Sequence, residues 1–129
     1  MRAAVEAAVI AHACEAAPRE CCGLLIGREG SILDAVRARN LEDDPTRYLI
    51  DPADHIAARR ASRARGLEVV GFYHSHPRSS ADASPSDAAE ASYAGALYLI
   101  VGLGGGPPDV RLFRLDDGRL RPIDYDLAP

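Results

Sequence analysis

With 129 residues, 47% of them hydrophobic and 26% charged, the chain can bury one substantial core, and a single domain over residues 1–129 is expected. A formal charge of -4 argues against a nucleic-acid surface. No apolar run approaches membrane-spanning length, so neither nucleic acid nor membrane is expected as a partner.

The first predicted element is a helix over residues 3–16, stopping before Pro18. Arg2 and the Ala11-His12-Ala13 triplet faintly imitate a secretory signal, but Glu6 interrupts the apolar region, so this segment reads as an amphipathic helix and cytoplasmic residence as the expectation. A strand over 21–27, a turn at 28–30 and a strand over 31–40 make a hairpin. Residues 41–47 form a charged loop and 48–50 a short extended piece. Asp51-Pro52 caps a second helix that ends at Gly66. The apolar run from Leu67 to Tyr73 reads as a buried strand. A third helix is expected over 85–93, a buried strand over 96–103 and a flexible turn over 104–108. A last hairpin, 110–115 and 119–124, turns at Asp116-Asp117-Gly118. Alternating helices and strands without repeats predict an α/β three-layer domain with a mixed β-sheet flanked by helices.

The chemistry concentrates between Gly71 and Asp87. His74 and His76 are two apart at the end of a strand, which points both imidazoles to one face. Pro77 cannot continue a paired ladder, so the chain leaves the sheet there and a polar loop returns it toward the histidines. Ser84-Pro85-Ser86-Asp87 opens the third helix, placing the Asp87 carboxylate in its first turn. Two nitrogens and one oxygen form a zinc-type set with an open fourth position for water, the arrangement of a catalytic site. The competing reading is a helix capping box at Ser84 and Asp87, which needs no metal and leaves His74 and His76 unexplained.

Several residues keep a plainer meaning. All 15 basic residues are arginine, which fits codon bias in a GC-rich genome and leaves no Schiff-base lysine. Cys14, Cys21 and Cys22 suit a reducing compartment, with Cys21 and Cys22 as small buried hydrophobes. His12 and His55 read as surface or boundary histidines on the first two helices. Arg59, Arg60, Arg63 and Arg65 wind around the second helix as a solvated surface, with an acidic partner as the alternative. On residues alone, Glu20 stands equally as solvated surface or as part of the site.

His74-Ser75-His76-Pro77, six residues, then Ser84-x-x-Asp87, preceded by Glu20 in Pro18-Arg19-Glu20-Cys21-Cys22-Gly23-Leu24-Leu25-Ile26-Gly27, closely resembles the JAMM (MPN+) zinc metalloprotease signature. Asn40, Asp51-Pro52 and the strand from Tyr98 to Leu103 extend the resemblance along most of the chain. The resemblance implies a cytidine-deaminase-like fold, a zinc ion bound by His74, His76 and Asp87, and Glu20 as general acid/base. Ser84 is implied to help hold the tetrahedral oxyanion. It also implies a substrate: an amide after the C-terminal Gly-Gly of a ubiquitin-like or sulfur-carrier protein. Only six residues separate Pro77 from Ser84, with no long insertion to hold a second ubiquitin, so a sulfur-carrier-type substrate is favoured over polyubiquitin.

Two other classes are carried forward: a zinc hydrolase of small peptides or cell-wall fragments, and a non-catalytic scaffold of the same fold. A nucleoside deaminase is set aside because its zinc site uses Pro-Cys-x-x-Cys near His-x-Glu, and Cys21-Cys22 has the wrong spacing. Oligomeric state is left open.

Overall fold

The computed structural model describes residues 1–129, the side chains of residues 89 and 90 excepted. Its elements are α1 (Ala3–Ala16), β1 (Cys22–Arg28), β2 (Ser31–Ala38), α2 (Pro52–Ala64), β3 (Glu68–His76), α3 (Pro85–Glu90), β4 (Leu97–Gly102), β5 (Asp109–Asp116) and β6 (Arg119–Ile123). The six strands form one mixed sheet in the order β2-β1-β3-β4-β5-β6. Only the β3–β4 pair is parallel, with α3 in the crossover between them. This is the expected mixed sheet flanked by helices. Among the described residues, no helix is long and apolar enough to cross a membrane.

Side-chain alternation on the strands divides the core into two layers. On one side, Leu25, Tyr73, Leu97, Leu99 and Val101 pack against Val5, Val9 and Ala13, a stripe at four-residue spacing on α1. On the other, Leu24, Ile26, Phe72, Tyr98 and Ile100 gather with Ala58 of α2. Phe72 faces the second layer, so His74 and His76, in phase with it, face the same way.

Both hairpins turn as expected: Glu29-Gly30 and Asp117-Gly118 adopt positive φ at both central positions, matching the right-handed twist of the flanking strands. Several boundaries shift by a residue or two from expectation, and two of the shifts have a clear tertiary cause. β2 stops at Ala38 rather than reaching Asn40, because Asn40 bridges to Ile50 and turns its amide into the 41–49 loop. α3 ends at Glu90 rather than residue 93. There the Tyr93 ring packs on Phe72 with centroids 5.0 Å apart, and its N–H donates to Tyr98 Oη at 3.2 Å, contacts a continuing helix would forgo.

Candidate metal centre and its cleft

β3 carries His74 and His76 to its C-terminal end, and Pro77 releases the chain into the 77–84 loop. That loop is clamped over the end of β4. Leu103 N–H donates to the His76 carbonyl at 3.0 Å and Gly104 N–H to that of Ser79 at 3.1 Å. The fit is too close for side chains: a Cβ on Gly102 would lie 2.4 Å from Ala81 N, and one on Gly104 would lie 2.5 Å from the Arg78 carbonyl.

The loop delivers Ser84 and Asp87 to a capping box. Ser84 Oγ accepts the Asp87 N–H at 3.1 Å, and Asp87 Oδ2 accepts the Ser84 N–H at 2.7 Å. The capping and ligand readings of this motif therefore coexist. The cap orients the carboxylate, and Asp87 Oδ1 then lies 3.0 Å from His74 Nε2 while Oδ2 lies 3.1 Å from His76 Nε2. The two Nε2 atoms are 3.2 Å apart.

Three donor atoms thus converge on one point, all within 4.8 Å of one another, on residues that are all buried. Ligand atoms around a tetrahedral zinc, bonded at about 2.0–2.2 Å, sit roughly 3.3–3.6 Å apart, so these residues fit such an ion with little adjustment. The tautomer fits as well. His76 Nδ1 lies 2.8 Å from the Ser80 carbonyl, which can only accept, so Nδ1 carries the proton and neutral His76 presents its Nε2 lone pair.

Electrostatics without an ion reflect the same crowding. Burial works against ionised Asp87, but hydrogen bonds from His74 and His76 outweigh it and hold the carboxyl well below its usual range. Burial alone would lower the His76 pKa, yet Asp87, the Ser80 carbonyl and the charge of Glu20 together raise it. Metal ligation replaces the shared protons of such a cluster.

Glu20 precedes β1 by two residues. In the antiparallel register Cys22 pairs with His74, which sets Glu20 beside the His76 end of β3. Its backbone is tied on both sides: the Glu20 N–H donates to the Pro45 carbonyl at 3.2 Å, and its carbonyl accepts from Asn40 Nδ2 at 3.1 Å. Asn40 also binds the Arg47 carbonyl and the N–H groups of Glu42 and Leu49, so one amide organises the loop opposite the metal loop. Between the two loops lies a cavity of about 550 Å³ lined by Glu20, Arg47, Tyr48, His76, Arg78, Ser84 and Asp87 among others. All five residues singled out from sequence, Glu20, His74, His76, Ser84 and Asp87, lie at this centre or on its walls.

Tyr48 was not anticipated. Its ring stacks on the His74 imidazole, centroids 4.4 Å apart and planes 18° from parallel. Its place in a short extended piece after a charged loop carries no local signal of that contact. A second cavity of about 500 Å³ shares Arg47 and Tyr48 with the first and is lined by Leu49, Ile50, Phe72, Tyr93 and Tyr98. His55 lies on its wall, edge-on to Phe72, and His12 lies at the opposite sheet face with Nδ1 2.7 Å from Tyr73 Oη. Both are boundary histidines. Cys21 and Cys22 are buried and Cys14 is exposed, all three as free thiols.

Comparison with known proteins agrees with this geometry. A "Probable TtuB-protein conjugate cleaving protease" from Thermus thermophilus is 36% identical over 110 residues, 84% of this chain and 70% of that one. A "CysO-cysteine peptidase" from Mycobacterium tuberculosis is 32% identical over 121 residues, 92% of this chain and 83% of that one. The solution structure of a Desulfitobacterium hafniense protein superposes with a TM-score of 0.88 at 28% identity, covering 98% of this chain and 90% of that one. Residues 2–116 match the family described as prokaryotic homologs of the JAB domain, and the chain belongs to that family.

Proposed function

We propose that the chain is a zinc-dependent peptidase that hydrolyses the amide bond after the C-terminal Gly-Gly of a ubiquitin-like or sulfur-carrier protein. The observation that carries this reading is the convergence of His74 Nε2, His76 Nε2 and an Asp87 carboxylate at the end of one cleft that also holds Glu20 and Ser84. The printed names of the relatives, one a protease of protein conjugates and one a peptidase of a carrier–cysteine adduct, support it. A scaffold role would not require a complete ligand set with its tautomer locked.

A zinc ion on these three side chains supplies a Lewis acid for the scissile carbonyl and lowers the pKa of water to near neutrality. The chain's own residues then do the rest. Glu20, on the cleft wall beside His76, takes a proton from the attacking water and returns it to the departing amine. Ser84 Oγ accepts the Asp87 N–H and lies 3.0 Å from Ser86 Oγ; with Ser86 as donor in that pair, the Ser84 proton is directed toward the developing oxyanion. His74 and His76 are oriented by the Tyr48 stack and the Ser80 carbonyl.

The second cavity supports a folded protein as substrate. Leu49 and Tyr93 on its wall and Ile56 on α2 nearby are each about half exposed, an apolar surface continuous with the cleft through Arg47 and Tyr48. We place the carrier body there, with its diglycine tail passing Tyr48 toward the metal; glycines pass where side chains would clash. The free thiols of Cys14, Cys21 and Cys22 support action in a reducing compartment such as the cytoplasm.

The test is metal content alongside cleavage of a carrier protein bearing an amino acid on its terminal glycine. Wild type is expected to hold about one zinc per chain, His74→Ala to lose it, and Glu20→Gln to keep the metal while losing activity. Properly folded, metal-supplemented wild type without stoichiometric zinc overturns the reading.

A further inference from the structure

The cleft has two sides, and they differ in chemistry. One, at Pro45, Thr46, Arg47 and Tyr48, runs on into the apolar second cavity. The other, at Pro77, Arg78, Ser79 and Ser86, is polar and is not shared with that cavity. With the carrier body on the apolar side and its tail entering past Tyr48, the leaving group is assigned to the polar side.

Arg78 stands there, exposed and two residues beyond His76. Four surface arginines are matched with carboxylates: Arg37 with Glu15, Arg65 with Asp34, Arg111 with Asp82 and Arg121 with Asp116. Among the described residues, Arg78 has no such partner. Its backbone is held by the clamp over Gly104, so the base of the side chain is placed rigidly while the guanidinium remains available.

We propose that Arg78 is a specificity-determining residue that binds the α-carboxylate of a single amino acid as the leaving group. This rests on the proposed function and deepens it, choosing an amino-acid adduct over a lysine isopeptide. In carrier–CO–NH–CHR–COO⁻ the carboxylate is separated from the scissile nitrogen by one carbon, whereas a lysine side chain offers only a methylene there. Water adds its oxygen to the carbonyl carbon, the C–N bond breaks, and the amine takes the proton passed by Glu20. The products are the carrier carboxylate and a free amino acid. A guanidinium grips such a carboxylate through two parallel N–H donors.

The experiment uses metal-supplemented wild type, Arg78→Ala and Arg78→Lys. The substrates are a Gly-Gly carrier protein extended by one amino acid, prepared as the free acid and as the carboxamide. Wild type is expected to favour the acid about tenfold or more in kcat/KM. Arg78→Ala should lose that preference by slowing on the acid alone, with Arg78→Lys in between. The same pair of ligands titrated calorimetrically into Glu20→Gln, with and without Arg78→Ala, should show the preference in binding without turnover. Equal use of acid and amide by wild type, or equal slowing on both by Arg78→Ala, overturns the role of Arg78 while leaving the hydrolase reading standing. Cleavage of neither form by loaded wild type overturns both.

Discussion

The Ser80 carbonyl holds the His76 ring by accepting from Nδ1 at 2.8 Å, and it can do so only because Gly102 beneath the loop has no side chain. A Cβ at Gly102 would lie 2.4 Å from the Ser80 carbonyl carbon and from Ala81 N, both backbone atoms. Gly102→Ala is therefore expected to push the loop outward and free the His76 ring. Loss of a partner of this kind typically costs 10–100-fold in metal affinity. Zinc competition against a chelator measures it; unchanged affinity would show that the loop does not position His76.

Tyr48 is expected to contribute through its ring rather than its hydroxyl, since the contact with His74 is a face-to-face stack. An aromatic pair of this type is worth about 0.5–1.5 kcal/mol beyond burial, or roughly 2- to 12-fold. Tyr48→Ala should weaken zinc binding by that factor while Tyr48→Phe retains it. Equal losses in the two variants would move the role to the hydroxyl.

Ser84→Ala removes both a cap and a candidate oxyanion donor, and two measurements separate them. Losing the acceptor for the Asp87 N–H should cost about 1 kcal/mol of stability in urea unfolding. Loss of a donor to the oxyanion should lower kcat by about 10²–10³. Ser84→Asp restores a cap acceptor but no hydroxyl, so stability should recover and kcat should not. Recovery of both would assign Ser84 to capping alone.

The thiols provide a pH test. Burial pushes Cys21 up to about 11 and Cys22 up to about 12, from an ordinary value of 9.0. Both stay neutral in the folded chain where the unfolded chain would ionise. Their contribution is complete below pH 9 and is lost as pH rises from there through 11 and 12. Alkaline unfolding should steepen over that window, and Cys21→Ala/Cys22→Ala should flatten it. At neutral pH a thiol reagent should label one cysteine per folded chain, Cys14, and three after unfolding.

Much of the site was legible because its determinants are local. The two-residue spacing of His74 and His76, the proline stop and the Ser84-to-Asp87 cap act within a turn or a strand, and structure followed them. The hairpin turns and the Asp51 cap, where the carboxylate accepts the Ala53 N–H at 2.9 Å, followed for the same reason. The ends of β2 and α3 did not, since Asn40 and Tyr93 answer to partners outside their own elements.

By itself the sequence determined the candidate ligand types, their order and the faces they occupy, through backbone periodicity and capping chemistry that operate over a few residues. Tertiary structure alone decided which distant groups complete the centre. Tyr48 stacks on a histidine 26 positions away, Asn40 tethers the carbonyl of Glu20 across 20, and Gly102 makes room for the loop that locks His76. Such contacts depend on packing between elements, and no local spacing encodes them.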